Sequence, residues 1–266
     1  MHTSTHLQAV ATLAARRAGE HVLGNLHRRT DANSVLRTDI KHKLDVEAQE
    51  VAAAVIQAAY PDHLIFGEES ATPCPPDDGY VWVIDPIDGT VNFFHGMHWW
   101  CSSVAVRYNG QTIAGAVFLP QLGEMFEATH DGPATCNGAP IHVSDQSAPE
   151  LAIMATGMGK WRNKENSLKI LSAITDLVQR PRMMGAAAAD ICMVAAGRFD
   201  AFFESGIYLW DMVAAGLILE RAGGLCEVLI QFPNRRMAVL ATNGKFHEAC
   251  KKVLLPLAEE QKNENY

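Results

Sequence analysis

The chain has 266 residues, 48% of them apolar, which suits one large domain or two intimately packed halves around a sizeable core. Its formal charge of -8, with no basic block set against it, provides no electrostatic footprint for nucleic acid or an anionic membrane, and a phosphorylated small molecule would need metal to bind so acidic a chain. The six cysteines (Cys74, Cys101, Cys136, Cys192, Cys226, Cys250) lack the paired spacing of a zinc site and no secretion signal accompanies them, so they read as reduced, mostly buried thiols. Residues 5–26, "THLQAVATLAARRAGEHVLGNL", repeat apolar side chains at helical spacing. Arg16, Arg17 and Glu20 exclude a signal-peptide core or membrane span, and the segment is expected to be an amphipathic helix of a cytoplasmic protein.

A second helix is predicted from Asp45, taken as its N-cap, to the break at Tyr60-Pro61, followed by a strand "HLIFG" ending at Gly67. The Pro-rich stretch 72–79 reads as a surface loop and residues 81–84 as a buried strand. After residue 98 the texture is that of an antiparallel meander: "SSVAVRY", "TIAGAVFL" and "EMFEATH" are separated by Asn109-Gly110, Asp131-Gly132 and Asn137-Gly138. From about residue 150 strands and helices alternate. The order is "LAIMATG", a helix near 164–178, "RMMG", a helix near 187–197, "DAFFE", a helix from Asp211, "GLCEVLI", "MAVLATN" and a C-terminal helix whose last residues, 259–266, should fray. A division near residue 147 (1–147 and 148–266) is expected to separate an antiparallel α+β half from a mixed α/β half that shares its core.

The stretch "VWVIDPIDGTVNFFHG", residues 81–96, carries the chemistry. Asp85 leaves a buried strand where α/β sheets commonly place function. Pro86 biases the chain to an extended shape, Gly89 permits a sharp turn, and Thr90 can open a short helix whose free N–H groups point at an anion. Two carboxylates held this close repel one another unless a cation lies between them. Oxygen donors alone favour a hard ion, Mg²⁺ first and Mn²⁺ or Ca²⁺ after.

Other readings of the pentapeptide are an ordinary turn with solvated acids, or a phosphatase whose Asp is a nucleophile, though the Asp-x-Asp-Gly-Thr spacing for that is missed by one residue. A calcium loop counted from Asp85 ends at Gly96, where a bidentate Glu is required. "FGEES" supplies Glu68 and Glu69, and "LWDMVAAG" supplies Asp211. Alone they read as loop charges and a helix cap; together they match the several acidic ligands that a two-metal phosphoryl-transfer site draws from separate segments.

"GEES", "DPIDGTVNF" and "WD" followed twelve residues later by Gly223-Gly224 resemble the inositol monophosphatase family of metal-dependent, lithium-sensitive phosphatases. Asp45, "CNGAPIHVS" (136–144), "GAAAADICMVAAGRFDAFFE" (185–204) and Glu204 seven residues before Asp211 extend the resemblance over most of the chain. It implies a layered α-β-α-β-α sandwich of the sugar phosphatase type and a homodimer. It further implies that Glu68, Asp85 and the Ile87 carbonyl hold one Mg²⁺, that Asp85, Asp88 and Asp211 hold a second, and that a third is possible near Glu68. Glu68 with Thr90 would orient the attacking, metal-activated water. Asp88 and the N–H groups of Gly89 and Thr90 would meet the phosphate, and Glu204 with the backbone from Gly185 to Ala187 would meet the alcohol. Asn92 and Glu204 are the inositol-type pattern and make inositol 1-phosphate the leading substrate. Fructose 1,6-bisphosphate, adenosine 3',5'-bisphosphate and histidinol phosphate are the alternatives on the same fold, and a catalytically weak member that binds a protein partner is the alternative of another kind.

The chain also departs from the family pattern. "DIKHKLD" (39–45) puts Lys41, His42 and Lys43 in what the resemblance implies is a loop over the active site, where they are expected either to contact a substrate phosphate or to be solvated charges. Ala186 stands where a hydroxyl is common. Trp99 and Trp100 are expected in the core or a dimer interface, and His95 and His98 in structural roles.

Overall fold

Val81 and Val83 enter one apolar cluster and Trp82 and Ile84 another. Strand geometry requires this of a strand buried on both faces, because successive side chains point to opposite sides. The same alternation recurs at Phe118 against Val117 and Leu119, and at Phe202 against Ala201 and Phe203. It specifies two sheets, each covered by helices on both sides. The computed structural model describes residues 2–35, 40–70, 78–158, 164–233 and 235–264.

In chain order the elements are α1 (Ser4–Gly24), β1 (Ala32–Val35), β2 (Ile40–His42), α2 (Lys43–Ala59), β3 (Leu64–Gly67), β4 (Tyr80–Asp88), α3 (Thr90–His95), β5 (Cys101–Tyr108), β6 (Gln111–Leu119), β7 (Glu124–Thr129), β8 (Thr135–Cys136) and β9 (Ala139–Pro140). They continue with β10 (Ile153–Thr156), α4 (Lys164–Leu177), β11 (Arg180–Arg182), α5 (Ala187–Ala195), β12 (Ala201–Ile207), α6 (Leu209–Arg221), β13 (Leu225–Gln231), β14 (Met237–Thr242) and α7 (His247–Glu264). A seven-stranded sheet runs β3-β4-β5-β6-β7-β8-β9, antiparallel except for the β3–β4 pair, and a five-stranded mixed sheet runs β11-β10-β12-β14-β13. Helices α1 and α2 cover the outer face of the first sheet, α5 and α6 lie between the sheets, and α4 and α7 cover the outer face of the second. The layers are therefore α-β-α-β-α, and the central cluster takes Val83 and Val117 from one half and Phe202 and Val239 from the other.

The meander turns follow their residues: Asn109-Gly110 and Asn137-Gly138 all have positive φ, as two-residue hairpin loops need. Five described cysteines are free, and Cys74 lies outside the described residues with most of the 72–79 loop. No helix among the described residues is long and apolar enough to cross a membrane.

Several boundaries differ from the sequence expectation. Helix α2 begins at Lys43, because the His42 ring accepts the Leu44 N–H at 2.9 Å while Asp45 accepts the His42 N–H at 3.1 Å, so Asp45 is the third helical residue and His42 the cap. Strand β4 continues past Ile84 to Asp88, and α6 starts at Leu209, before Asp211. Of "RMMG" only Arg182 belongs to a strand. Helix α7 does not fray at residue 259 but runs to Glu264, since Cys250, Leu254, Ala258 and Gln261 form one buried stripe and Gln261 is only 1% exposed.

Helix α6 crosses β6 at Gly115, where a Cβ would stand 2.9 Å from Ala214 Cα and 3.2 Å from its carbonyl oxygen. Backbone cannot yield as a side chain can. Gly115→Ala is expected to lower the unfolding free energy by about 1–3 kcal/mol through overpacking, read as a reduced denaturant midpoint at unchanged slope.

Candidate active site

Strand β4 carries an irregularity at its end. Asp85 pairs with Ser103 and Asp88 with Cys101, so three steps on β4 oppose two on β5. Residues three apart on a regular strand face opposite sides; one extra residue returns both carboxylates to the same side. Pro86 suits this position because it has no N–H to leave unpaired, and its carbonyl accepts the Ser102 hydroxyl at 2.7 Å. Gly89 then turns the chain at φ +93°, and a Cβ there would stand 3.0 Å from the Trp99 carbonyl. Helix α3 begins at Thr90, whose hydroxyl donates to the Ile87 carbonyl at 2.9 Å.

Two other segments converge on this point. The Glu68 N–H donates to the Ile84 carbonyl at 3.1 Å, which seats the turn after β3 beside the end of β4. Asp211, the third residue of α6, accepts the Tyr208 N–H at 2.6 Å in the first turn of its helix. Asp85, Asp88 and Asp211 each present an oxygen, and these oxygens lie within 4.8 Å of one another. All three, with Glu68, Ile87, Gly89, Thr90, Gly185, Ala187 and Glu204, line one cavity of about 450 Å³.

The electrostatics are strained. Asp85 is 1% exposed and its Oδ1 has no hydrogen-bond partner. Burial pushes its carboxyl well above the usual range, and the charges of Glu68, Asp88, Asp211 and Asp45 push it further. Asp88 is raised to about 6 by burial, against the opposing pull of the Ala188 N–H, the Cys101 thiol and the Ala187 N–H. Those two amides, at 2.7 and 3.1 Å, belong to the first turn of α5, whose positive end favours the carboxylate. Five acids, Glu68, Asp85, Asp88, Glu204 and Asp211, line the cavity, and among the described residues no Lys or Arg lines it. A buried, unsatisfied carboxylate oxygen among all-oxygen donors fits a hard cation.

Of the residues expected to meet an alcohol, Gly185, Ala187 and Glu204 line the cavity, and the Ala187 N–H donates to Asp88 at 3.1 Å, so the backbone there supports a carboxylate. Glu204 packs over Gly157, where a Cβ would meet its Oε2 at 2.2 Å. Asn92 uses its side-chain amide to hold the Trp99 carbonyl at 2.8 Å and the Met184 carbonyl at 2.7 Å. The basic stretch is no loop: Lys41 and His42 belong to β2 and Lys43 opens α2. His42 is buried with its ring held by the Arg29 carbonyl at 2.7 Å and Lys43 pairs with Asp31 at 2.6 Å, so neither lines the cavity; the Lys41 side chain lies outside the described residues. Glu69 does not line it, its N–H bonding Gln49 at 3.1 Å, and His95 and His98 are exposed outside it. Trp100 is core, and the Trp99 indole donates to Asp190 at 2.8 Å. Sequence reasoning missed Met97, Thr156, Met158, Met183, Met184 and Tyr208, which line the cavity from separated segments. Tyr208, two residues before "WD", and Met183-Met184, just before Gly185, carried a local signal.

The family model for the inositol monophosphatase family matches residues 4–258. The chain belongs to the inositol monophosphatase family. Human inositol monophosphatase 1 is 33% identical over 247 residues, covering 88% of each chain, and Nus factor SuhB of Pseudomonas aeruginosa is 37% identical over 225 residues, covering 81% of this chain and 83% of that one. The structure of inositol monophosphatase from Anabaena superposes with a TM-score of 0.84 at 31% identity, over 95% of this chain and 96% of the other. As a member of the inositol monophosphatase family the chain is a phosphoric monoester hydrolase, and its acidic cluster can hold a metal ion.

Because these carboxylates repel one another in the metal-free protein, removing one charge relieves the cluster. Asp85→Asn is expected to raise the melting temperature of the metal-free protein and to abolish the rise expected on adding Mg²⁺ to the parent chain. Thermal melts with and without Mg²⁺ check both, and an unchanged Mg²⁺ response would remove Asp85 from the ligand set.

Proposed function

We propose that this phosphatase hydrolyses the phosphomonoester of a small polyol or sugar, with inositol 1-phosphate the first candidate, in a Mg²⁺-dependent reaction. The observation that carries the reading is the converging set of buried carboxylates around the unsatisfied Asp85 oxygen. Glu68, Asp85 and the Ile87 carbonyl would hold one ion and Asp85, Asp88 and Asp211 a second, with a third near Glu68. Bound there, Mg²⁺ supplies charge neutralisation for the phosphate and lowers the pKa of water into the neutral range.

The chain's own groups do the rest. Because the Thr90 hydroxyl donates its hydrogen bond to the Ile87 carbonyl, its oxygen remains an acceptor that orients the attacking water, and Glu68 takes the proton that water loses. The Gly89 and Thr90 amides bind phosphate oxygens as the water oxygen joins phosphorus and the ester oxygen departs. Glu204 accepts a hydroxyl of the alcohol, flanked by Gly185 and Ala187. The aspartyl-phosphate route is disfavoured, since the oxygens of Asp88 already accept two amides and the Cys101 thiol.

The reading includes a homodimer and lithium sensitivity. A second reading, a weakly catalytic chain that acts by binding a protein partner, is favoured by the similarity to a relative named as a Nus factor. Phosphate release from a panel of inositol, sugar and nucleotide phosphates, with Mg²⁺ and with EDTA, separates the two: metal-dependent turnover is expected, and none on any panel member would sink the enzyme reading for this substrate class. Asp85→Asn is expected to cut kcat by about a hundredfold or more, and full turnover at saturating Mg²⁺ would refute its bridging role. A phosphoenzyme trapped on Asp85 or Asp88 would overturn direct attack by water.

A further inference from the structure

Helix α5 is buried along its whole length, and of its nine residues only Asp190 is an acid or a base of the charged kind. Asp190 is 1% exposed. A carboxyl sealed inside a helix of apolar neighbours costs stability that an apolar side chain would not. Burial pushes it well above the usual range, the Trp99 indole opposes that shift, and the charges of Asp88 and Glu204 add to it. What this carboxyl does with its position is hold one group: the Trp99 indole N–H donates to Asp190 Oδ1 at 2.8 Å, joining residues 91 apart in the chain.

Both ends of that bond lead to the site. The Asp190 N–H donates to the Ala186 carbonyl at 2.9 Å, so Asp190 belongs to the first turn of α5, whose Ala187 and Ala188 amides hold Asp88. Trp99 lies two residues before Cys101, which pairs with Asp88 across β4 and β5. Its carbonyl accepts the Asn92 side-chain amide at 2.8 Å. A Cβ at Gly89 would stand 3.0 Å from that same carbonyl and 3.1 Å from the Ala186 Cβ. Gly89, at φ +93°, is therefore enclosed between the Trp99 backbone and the N-cap of α5, and the direction of the Gly89 and Thr90 amides depends on where Trp99 stands.

Resting on the reading that those two amides bind phosphate oxygens, we propose that Asp190 and Trp99 are positioning residues for the reaction: their bond fixes the backbone against which Gly89 turns and so aims the amides. The bond needs an acceptor oxygen at residue 190 and an N–H at residue 99. It does not need a negative charge, so an asparagine oxygen can serve in place of the carboxylate.

The test measures kcat/KM for inositol 1-phosphate at saturating Mg²⁺, and the inhibition constant of inorganic phosphate, for Trp99→Phe, Asp190→Ala, their double variant and Asp190→Asn. Each of the first two is expected to lower kcat/KM about tenfold and to weaken phosphate inhibition about threefold or more. The double variant is expected to be no worse than either, since the bond is lost once, and Asp190→Asn is expected to restore most of the loss seen with Asp190→Ala. Trp99→Phe keeps an aromatic ring against the core and tests the same bond if Asp190→Ala does not fold. Parent-like kinetics in Trp99→Phe, losses that multiply in the double variant, or an Asp190→Asn as impaired as Asp190→Ala each overturn the inference and leave the phosphatase reading standing. Loss of turnover with phosphate inhibition unchanged overturns instead the assignment of phosphate to the Gly89 and Thr90 amides, and an absence of turnover by the parent chain overturns inositol 1-phosphate as its substrate, whereupon the phosphate inhibition of binding, read by calorimetry on the same four variants, decides the positioning role.

Discussion

Four carboxylates, Glu68, Asp85, Asp88 and Asp211, share one recessed cavity, and each raises the cost of charging the next. In water such repulsion is screened; at a nearly sealed Asp85 it is not. The surroundings answer this constraint unevenly. Asp88 is supported by the first amides of α5, while Asp85 keeps an oxygen that no protein group satisfies. A cation at that oxygen is the simplest way to make the cluster stable, and a bound cation is also what makes an acidic chain able to receive a phosphate.

The fold holds the constraint in place through its layers. Strand β4 lies inside the seven-stranded sheet with helices on both faces, so its end cannot drift, and the turn bearing Glu68 is tied to it through backbone. Helices α5 and α6 sit between the sheets and deliver the amides for Asp88 and the carboxylate of Asp211. The second sheet adds Glu204, from β12, to the cavity lining. No half of the molecule holds the whole cavity.

Much of this was legible in the residues. Alternating apolar side chains and Asn-Gly turns marked the strands and hairpins, because strand period and positive φ are local properties. The three acidic segments were legible as spacing, and they do converge. Errors fell where a polar side chain had more than one partner within reach. Asp45 has the right chemistry for an N-cap, yet the His42 ring takes that role and leaves Asp45 as its reciprocal partner within the turn. His42 and Lys43 looked available to a substrate, but a carbonyl from residue 29 and the carboxylate of Asp31 engage them.

By itself, the sequence determined the two-faced strands, the turns, and the acids on either side of Pro86. Only the tertiary structure decided that Asp85 and Asp88 face the same way, since a one-residue bulge exists only relative to the partner strand β5. It alone also brought Met158, Met183 and Tyr208 into the lining of the same cavity as the carboxylates. Side chains far apart in the chain have no shared period to betray them, and their meeting is set by how the layers pack.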